Sequence, residues 1–204
     1  ARGYAVFAPN PRGGTGHGDK FYAANFKDFG GKDYQDIMLG VDRVIALGVA
    51  DSARLGVWGW SYGGYMTYWV VTQTNRFKGA VSGAGMANLA SFYAQSDIQS
   101  VWNPAYFAAS PYKDPETYKR MSPITYVDRV TTPTLILYGA QDIRVPYSQG
   151  REFYVALREK GVPSRLVTYP REGHGFREPD HDRDRWMRSI EWFDAYVLKT
   201  GRAQ

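Results

Sequence analysis

Three side chains of the kinds used in acyl transfer occur along this chain in the order serine, aspartate, histidine: Ser61, Asp142 and His174. Ser61 stands in Gly59-Trp60-Ser61-Tyr62-Gly63. A serine hydroxyl is a weak nucleophile until a neighbouring base takes its proton, so catalysis needs a turn that exposes the oxygen and a histidine brought to it. The run Leu55–Trp58 supplies a strand and Gly63 onward a helix, and Gly59 and Gly63 are expected because side chains there would collide in so sharp a turn. At the start of that helix, the Tyr62 amide is expected to point at the oxyanion formed when a carbonyl is attacked. With 22 glycines in the chain, Gly-x-Ser-x-Gly arises from composition alone in roughly one such chain in eight, so the signal lies in its placement between strand and helix.

The partners of such a serine follow it as acid, then histidine, each in a loop after a later strand. Asp142 lies in "GAQDIRVP", just past the apolar run Thr134–Tyr138, and His174 lies in "PREGHGF", just past Arg165–Tyr169. Asp142 is expected to fix the tautomer of His174 and to stabilise the imidazolium. The competitors are weaker. Asp128 precedes its strand and so belongs to the opposite sheet edge, and Asp180 sits among the polar residues around His181. His181, in "EPDHDRDRW", reads as a surface or capping residue at a helix start, and His17, in "PRGGTGHGDKF", as a residue that lines the site without acting as base.

The elements that must hold these groups alternate between short apolar runs and longer helical patterns, the sequence form of a mostly parallel sheet with helices on both faces. Strands are expected at Tyr4–Pro9, Leu55–Trp58, Gly79–Ser82, Thr134–Tyr138 and Arg165–Tyr169, and helices near Tyr34–Leu47, Gly63–Thr74, Ser148–Glu159 and Asp182–Leu198. In the last helix, Trp186, Ile190, Phe193 and Val197 recur at helical spacing and read as a core stripe. Residues 86–130 are rich in aromatics and carry no clear strand, which suits a lid or pocket wall. The whole span, 1–204, reads as one domain, and because a strand begins within three residues of Ala1, further strands of that domain are expected upstream.

Composition narrows the function. There are no cysteines, which excludes disulfides, thiolate metal sites and cysteine nucleophiles. A net charge of +5 is spread among acids, as in "REPDHDRDRWMR", and not gathered into a basic face, so nucleic acid is not an expected partner. No apolar run approaches the roughly 18 residues of a membrane helix. The glycine-rich loop at 12–18 lacks both the Gly-Lys-Ser/Thr ending of a phosphate loop and the dinucleotide spacing. No histidine and carboxylate cluster shows metal-ligand spacing, so the expected hydrolysis needs neither metal nor cofactor.

In combination, "NPRGGTGHGDKF", "GWSYGGYM", "SPITYVDRVTTPTLILYGAQDIRVP", "YPREGHGF" and "WFDAYVLK" resemble the catalytic domain of the prolyl oligopeptidase family, in its acylaminoacyl-peptidase and dipeptidyl-peptidase-like branch. The resemblance covers nearly the whole span and places the family's nucleophile, acid and base on Ser61, Asp142 and His174. It implies an α/β-hydrolase fold, a serine peptidase acting on short peptides, a β-propeller elsewhere in the same protein, and a second oxyanion donor upstream. It also implies an acyl-side pocket built from Tyr62, then Met86, Leu89, Phe92 and Tyr93, then Arg144 and Val145, although each of these reads equally well as core. A carboxylesterase with the same triad and a non-catalytic binding domain are the alternatives. The cytoplasm is the favoured compartment, and a homo-oligomer is left open.

Overall fold

The computed structural model describes residues 2–199. Four parallel strands, β1 (Leu55–Trp60), β2 (Phe77–Gly83), β3 (Thr134–Gly139) and β4 (Ser164–Tyr169), form one sheet in the order β1-β2-β3-β4. The register places Trp58 beside Val81, Gly83 beside Leu137 and Tyr138 beside Thr168, so the carboxyl ends of the strands lie along one edge. Parallel neighbours require crossovers, and helices α3 (Tyr62–Gln73) and α7 (Tyr147–Glu159) supply them on one face. Helix α8 (Pro179–Phe193) and the π-helical turn Asp194–Leu198 cover the other face. Helix α2 (Lys32–Ala46) runs before β1, and short helix α1 (Asp19–Tyr22) precedes it.

The two faces are legible in β3, where side chains alternate with period two. Ile136 and Tyr138 pack into the larger core with Val70, Phe153 and Leu157, whereas Leu135 and Leu137 pack with Val81, Tyr169 and Trp192 beneath α8. Between β2 and β3 the chain makes helices α4 (Leu89–Gln95), α5 (Gln99–Tyr106) and α6 (Pro115–Met121) and a 3-10 segment Pro123–Arg129, with no strand. That excursion is held by aromatic packing: Trp102 contacts Phe29, Phe92 and Phe107, and Phe107 stacks on Tyr118.

Three expectations change. Tyr4–Pro9 forms no strand; Val6 is 90% exposed, and these residues have no ladder partner, without which an apolar run is only extended chain. The stripe on the last helix is only partly core: Val197 is buried, but Ser189 and Trp192 are the buried residues of α8, while Trp186 is exposed and stacks on Trp58 with ring centroids 4.8 Å apart. The glycines of the serine turn are not equivalent either. A Cβ on Gly59 would lie 2.2 Å from the Gly63 carbonyl oxygen, whereas a Cβ on Gly63 would meet nothing within 4 Å; the second close approach is at Gly64, against the backbone of Gly83 and Gly85.

Candidate active site

Strand β1 ends at Trp60 and helix α3 starts at Tyr62, leaving Ser61 as the single residue of the turn. Its φ of 60° is rare for a residue with a side chain, and such a conformation costs on the order of 1–3 kcal/mol unless its surroundings enforce it. They do. The Ser61 amide donates to the Gly83 carbonyl at 2.9 Å and the Ser61 carbonyl accepts from the Tyr65 amide at 2.9 Å, while the absence of a Cβ at Gly59 lets the helix close on the strand. The strained turn lifts the hydroxyl to the carboxyl edge of the sheet.

There it meets the ends of two more strands. His174 Nε2 is 2.8 Å from Ser61 Oγ, and His174 Nδ1 is 2.9 Å from Asp142 Oδ2. The other Asp142 oxygen accepts from the Arg144 and Val145 amides, each at 2.9 Å, so the carboxylate is fully hydrogen-bonded although its side chain is wholly buried. The His174 side chain remains 29% exposed, which leaves the imidazole reachable from outside. All three groups lie past the carboxyl ends of β1, β3 and β4, the edge where open parallel sheets carry their sites. With Nδ1–H committed to the carboxylate, Nε2 is free to accept the serine proton.

Tyr62 is the first residue of α3, where amides have no carbonyl within their own helix to bond. Its phenol donates to Asp33 Oδ2, and its ring meets Phe29 edge-on with centroids 4.9 Å apart. Burial pushes the Asp33 carboxyl above the usual aspartate range even though the Tyr62 hydroxyl and the Tyr34 and Gly30 amides oppose the shift. Burial, reinforced by the nearby Asp33 charge, likewise drives the Tyr62 phenol far up. The Tyr62 phenol therefore keeps its proton, and its side chain is held at the tip by Asp33 and at the ring by Phe29.

The remaining pocket residues separate by burial. Met86, Leu89, Phe92 and Val145 are buried in the larger core, whereas Tyr62, Tyr93 and Arg144 are partly exposed. The Arg144 guanidinium reaches across to Asp97, with Nε 2.6 Å from Oδ1, and that cation holds the Asp97 carboxyl below its usual range. His17 is exposed and sits edge-on to Phe21 at 4.9 Å, and Asp128 lies in the 3-10 segment before β3; neither joins the triad. His181 is bonded through Nδ1 to Glu172 at 3.0 Å near the start of α8. Glu172, Glu178 and His181 thus bring ligand-type atoms within 4.8 Å of one another, a grouping whose spacing across a loop and a helix start gave no metal-like signal in the sequence.

Sequence reasoning also missed Trp60. Its indole Nε1–H donates to the His174 carbonyl at 2.8 Å, joining the residue before Ser61 to the backbone of His174 itself. Its ring lies under the Arg185 guanidinium and edge-on to Phe176. Asp33 was invisible for a simpler reason: it lies 29 residues from the tyrosine it holds.

Comparison with known proteins gives a consistent picture. Residues 1–200 match the model of the prolyl oligopeptidase family. The chain is 41% identical over 201 residues to an uncharacterized peptidase of Bacillus subtilis, covering 97% of this chain and 31% of that protein. It is 32% identical to the acylamino-acid-releasing enzyme of Arabidopsis thaliana, covering 95% of this chain and 26% of that one. The solved acylaminoacyl peptidase of Pyrococcus horikoshii superposes with a TM-score of 0.91 at 31% identity, covering 96% of this chain and 32% of that structure. The chain therefore spans about a third or less of the length of these relatives.

Proposed function

The chain belongs to the prolyl oligopeptidase family and carries its α/β-hydrolase fold, and from that premise we propose that it is the catalytic part of a serine peptidase cleaving short peptides through an acyl-enzyme. The observation that carries the proposal is the unbroken run of contacts from Ser61 Oγ to His174 to Asp142, at 2.8 and 2.9 Å. Ser61 Oγ attacks the peptide carbonyl while its proton passes to His174 Nε2. The Asp142 carboxylate stabilises the imidazolium, and the Tyr62 amide donates to the oxyanion. Collapse of the tetrahedral species breaks the C–N bond, and His174 returns the proton to the departing amine. Water, deprotonated by His174, then adds to the acyl-enzyme and releases the acid together with the free serine.

Tyr62, Tyr93 and Arg144 form the accessible part of the acyl-side pocket, with Met86, Leu89, Phe92 and Val145 behind them, which favours an uncharged acyl-side residue. The full-length protein adds a β-propeller that screens substrates by size and a second oxyanion donor. Among the described residues no helix is long and apolar enough to cross a membrane. The test is a comparison of aminoacyl anilides with short p-nitrophenyl esters on the full-length protein. Anilide turnover that disappears in Ser61→Ala supports a peptidase; turnover of esters alone would replace it with an esterase.

A further inference from the structure

We propose that Glu172 is a positioning residue for the base: its buried carboxylate closes the His174 loop on itself, while its backbone carbonyl ties that loop to the acid loop. The proposal rests on the reading of Ser61, Asp142 and His174 as a catalytic triad.

The local sequence poses a mechanical problem. His174 is flanked by Gly173 and Gly175, and a Cβ on Gly175 would meet nothing within 4 Å, while one on Gly173 would meet only the Gln141 carbonyl oxygen, at 3.9 Å. Neither neighbour of the base has a side chain to pack, and glycine offers the backbone more freedom than any other residue. Yet proton transfer needs Nε2 at hydrogen-bond reach of Oγ, and a misplacement of about 1 Å can cost on the order of 100-fold in rate. Hydrogen bonds must supply the constraint.

Glu172, 1% exposed, supplies most of them. One carboxylate oxygen accepts from the Arg177 amide at 2.8 Å; the other accepts from the Glu178 amide at 2.9 Å and lies 3.0 Å from His181 Nδ1. The side chain thus bridges residue 172 to residues 177 and 178, and His174 lies inside the ring so closed. The backbone of the same residue faces the other way, its carbonyl accepting from the Gln141 amide at 2.8 Å, one residue before Asp142. Gly139 allows this contact, because a Cβ there would fall 2.2 Å from the Gly173 carbonyl oxygen. Acid loop and base loop therefore meet at Glu172, and the Trp60 bond to the His174 carbonyl completes the clamp from the nucleophile side.

A metal-site reading of Glu172, Glu178 and His181 fits less well. Both Glu172 oxygens are occupied by N–H groups, and both Glu178 oxygens accept from the Arg171 guanidinium at 2.7 Å. The amides and the guanidinium already provide the positive field that a cation would bring.

The test uses the full-length protein. Stoichiometric fluorophosphonate labelling of wild-type Ser61 first establishes the triad; an unlabelled wild type would defeat that reading and the premise with it. Glu172→Gln then keeps shape but turns an acceptor into a donor facing amides. The proposal expects kcat per titrated site to fall on the order of 10-fold or more with KM within about twofold, because alignment and not binding is lost. It also expects the strongly downfield proton resonance of the His174–Asp142 hydrogen bond to broaden or vanish. Glu172→Asp, which draws the acceptors back by one methylene, carries the same expectation should Glu172→Gln fail to fold. A folded variant with kcat per site within about twofold of wild type and the downfield resonance intact would overturn the proposal. Failure of both variants to fold would also overturn it, by assigning Glu172 to the fold and not to the alignment of the base.

Discussion

Replacing Asp142 by asparagine keeps the shape of the side chain and changes one atom, so its effect can be worked out from the three hydrogen bonds to its carboxylate. The asparagine has two orientations. In the first, its carbonyl takes the place of Oδ1 and accepts the Arg144 and Val145 amides, which leaves its NH2 group facing His174 Nδ1. The imidazole must then accept at Nδ1 and carry its proton on Nε2, pointing at Ser61, where a base is needed. In the second, the carbonyl faces His174 and the correct tautomer survives, but NH2 confronts two amide donors that lose their acceptor. Each donor stranded in this way costs about 1–3 kcal/mol, so the productive orientation lies roughly 2–6 kcal/mol above the unproductive one. At about 1.4 kcal/mol per factor of ten, the active fraction falls by roughly 30-fold to 2 × 10⁴-fold. That range includes the loss of about 10⁴ recorded for the equivalent change in a serine peptidase triad. The assay is the initial rate on an aminoacyl p-nitroanilide, normalised to folded protein, with the melting temperature recorded because the two amide bonds survive in the favoured orientation. A loss of less than about tenfold would refute the tautomer argument.

Other consequences are equally open to measurement. Gly59→Ala places a Cβ against the Gly63 backbone, where overpacking costs typically about 1–3 kcal/mol; at about 2–4 °C per kcal/mol, thermal unfolding should move down by several degrees. Gly63→Ala, with open space around it, should leave the transition unchanged or raise it, and equal losses in the two variants would contradict the geometry of the turn. Because burial raises the Asp33 carboxyl in the folded state, folding takes up a proton there. Its contribution to stability is complete below the ordinary aspartate value and is lost as pH rises through the raised one; Asp33→Asn should flatten that decline, and parallel urea midpoints across the window would contradict it. Trp60→Phe removes the indole donor to the His174 carbonyl and should lower kcat/KM by about 3- to 10-fold, corresponding to one hydrogen bond of about 1 kcal/mol. An unchanged rate would show that the indole contributes packing alone.

That Ser61, Asp142 and His174 come together was legible in the sequence because they sit where apolar runs end, and in a parallel sheet those ends share an edge. Strands β1 to β4 began within two residues of their expected starts for the same reason: their runs are short, β-rich and bounded by loops. Residues 4–9 have the same composition and form no strand, since a strand is a property of a pair and a sequence pattern describes only one member. The glycines around Ser61 were read as equivalent, but only three-dimensional closure shows that Gly59 and Gly64 lie against backbone while Gly63 faces open space. The supports of the site were hidden because they act across long separations. Trp60 reaches 114 residues along the chain, and Asp33 reaches 29. Glu172 lies only two residues before His174, yet its role depends on amides beyond the base that no residue pattern marks.

Covalent labelling of the full-length protein with a fluorophosphonate, followed by peptide mapping, addresses the central claim most directly. Reaction requires an exposed serine oxygen, a base at hydrogen-bond distance and a donor for the phosphoryl oxygen, which are the features assembled at the ends of β1, β3 and β4. The account predicts one modification per chain, on Ser61, abolished by Ser61→Ala and strongly slowed by His174→Ala. A folded protein that takes up no label, or takes it up on another residue, would contradict it.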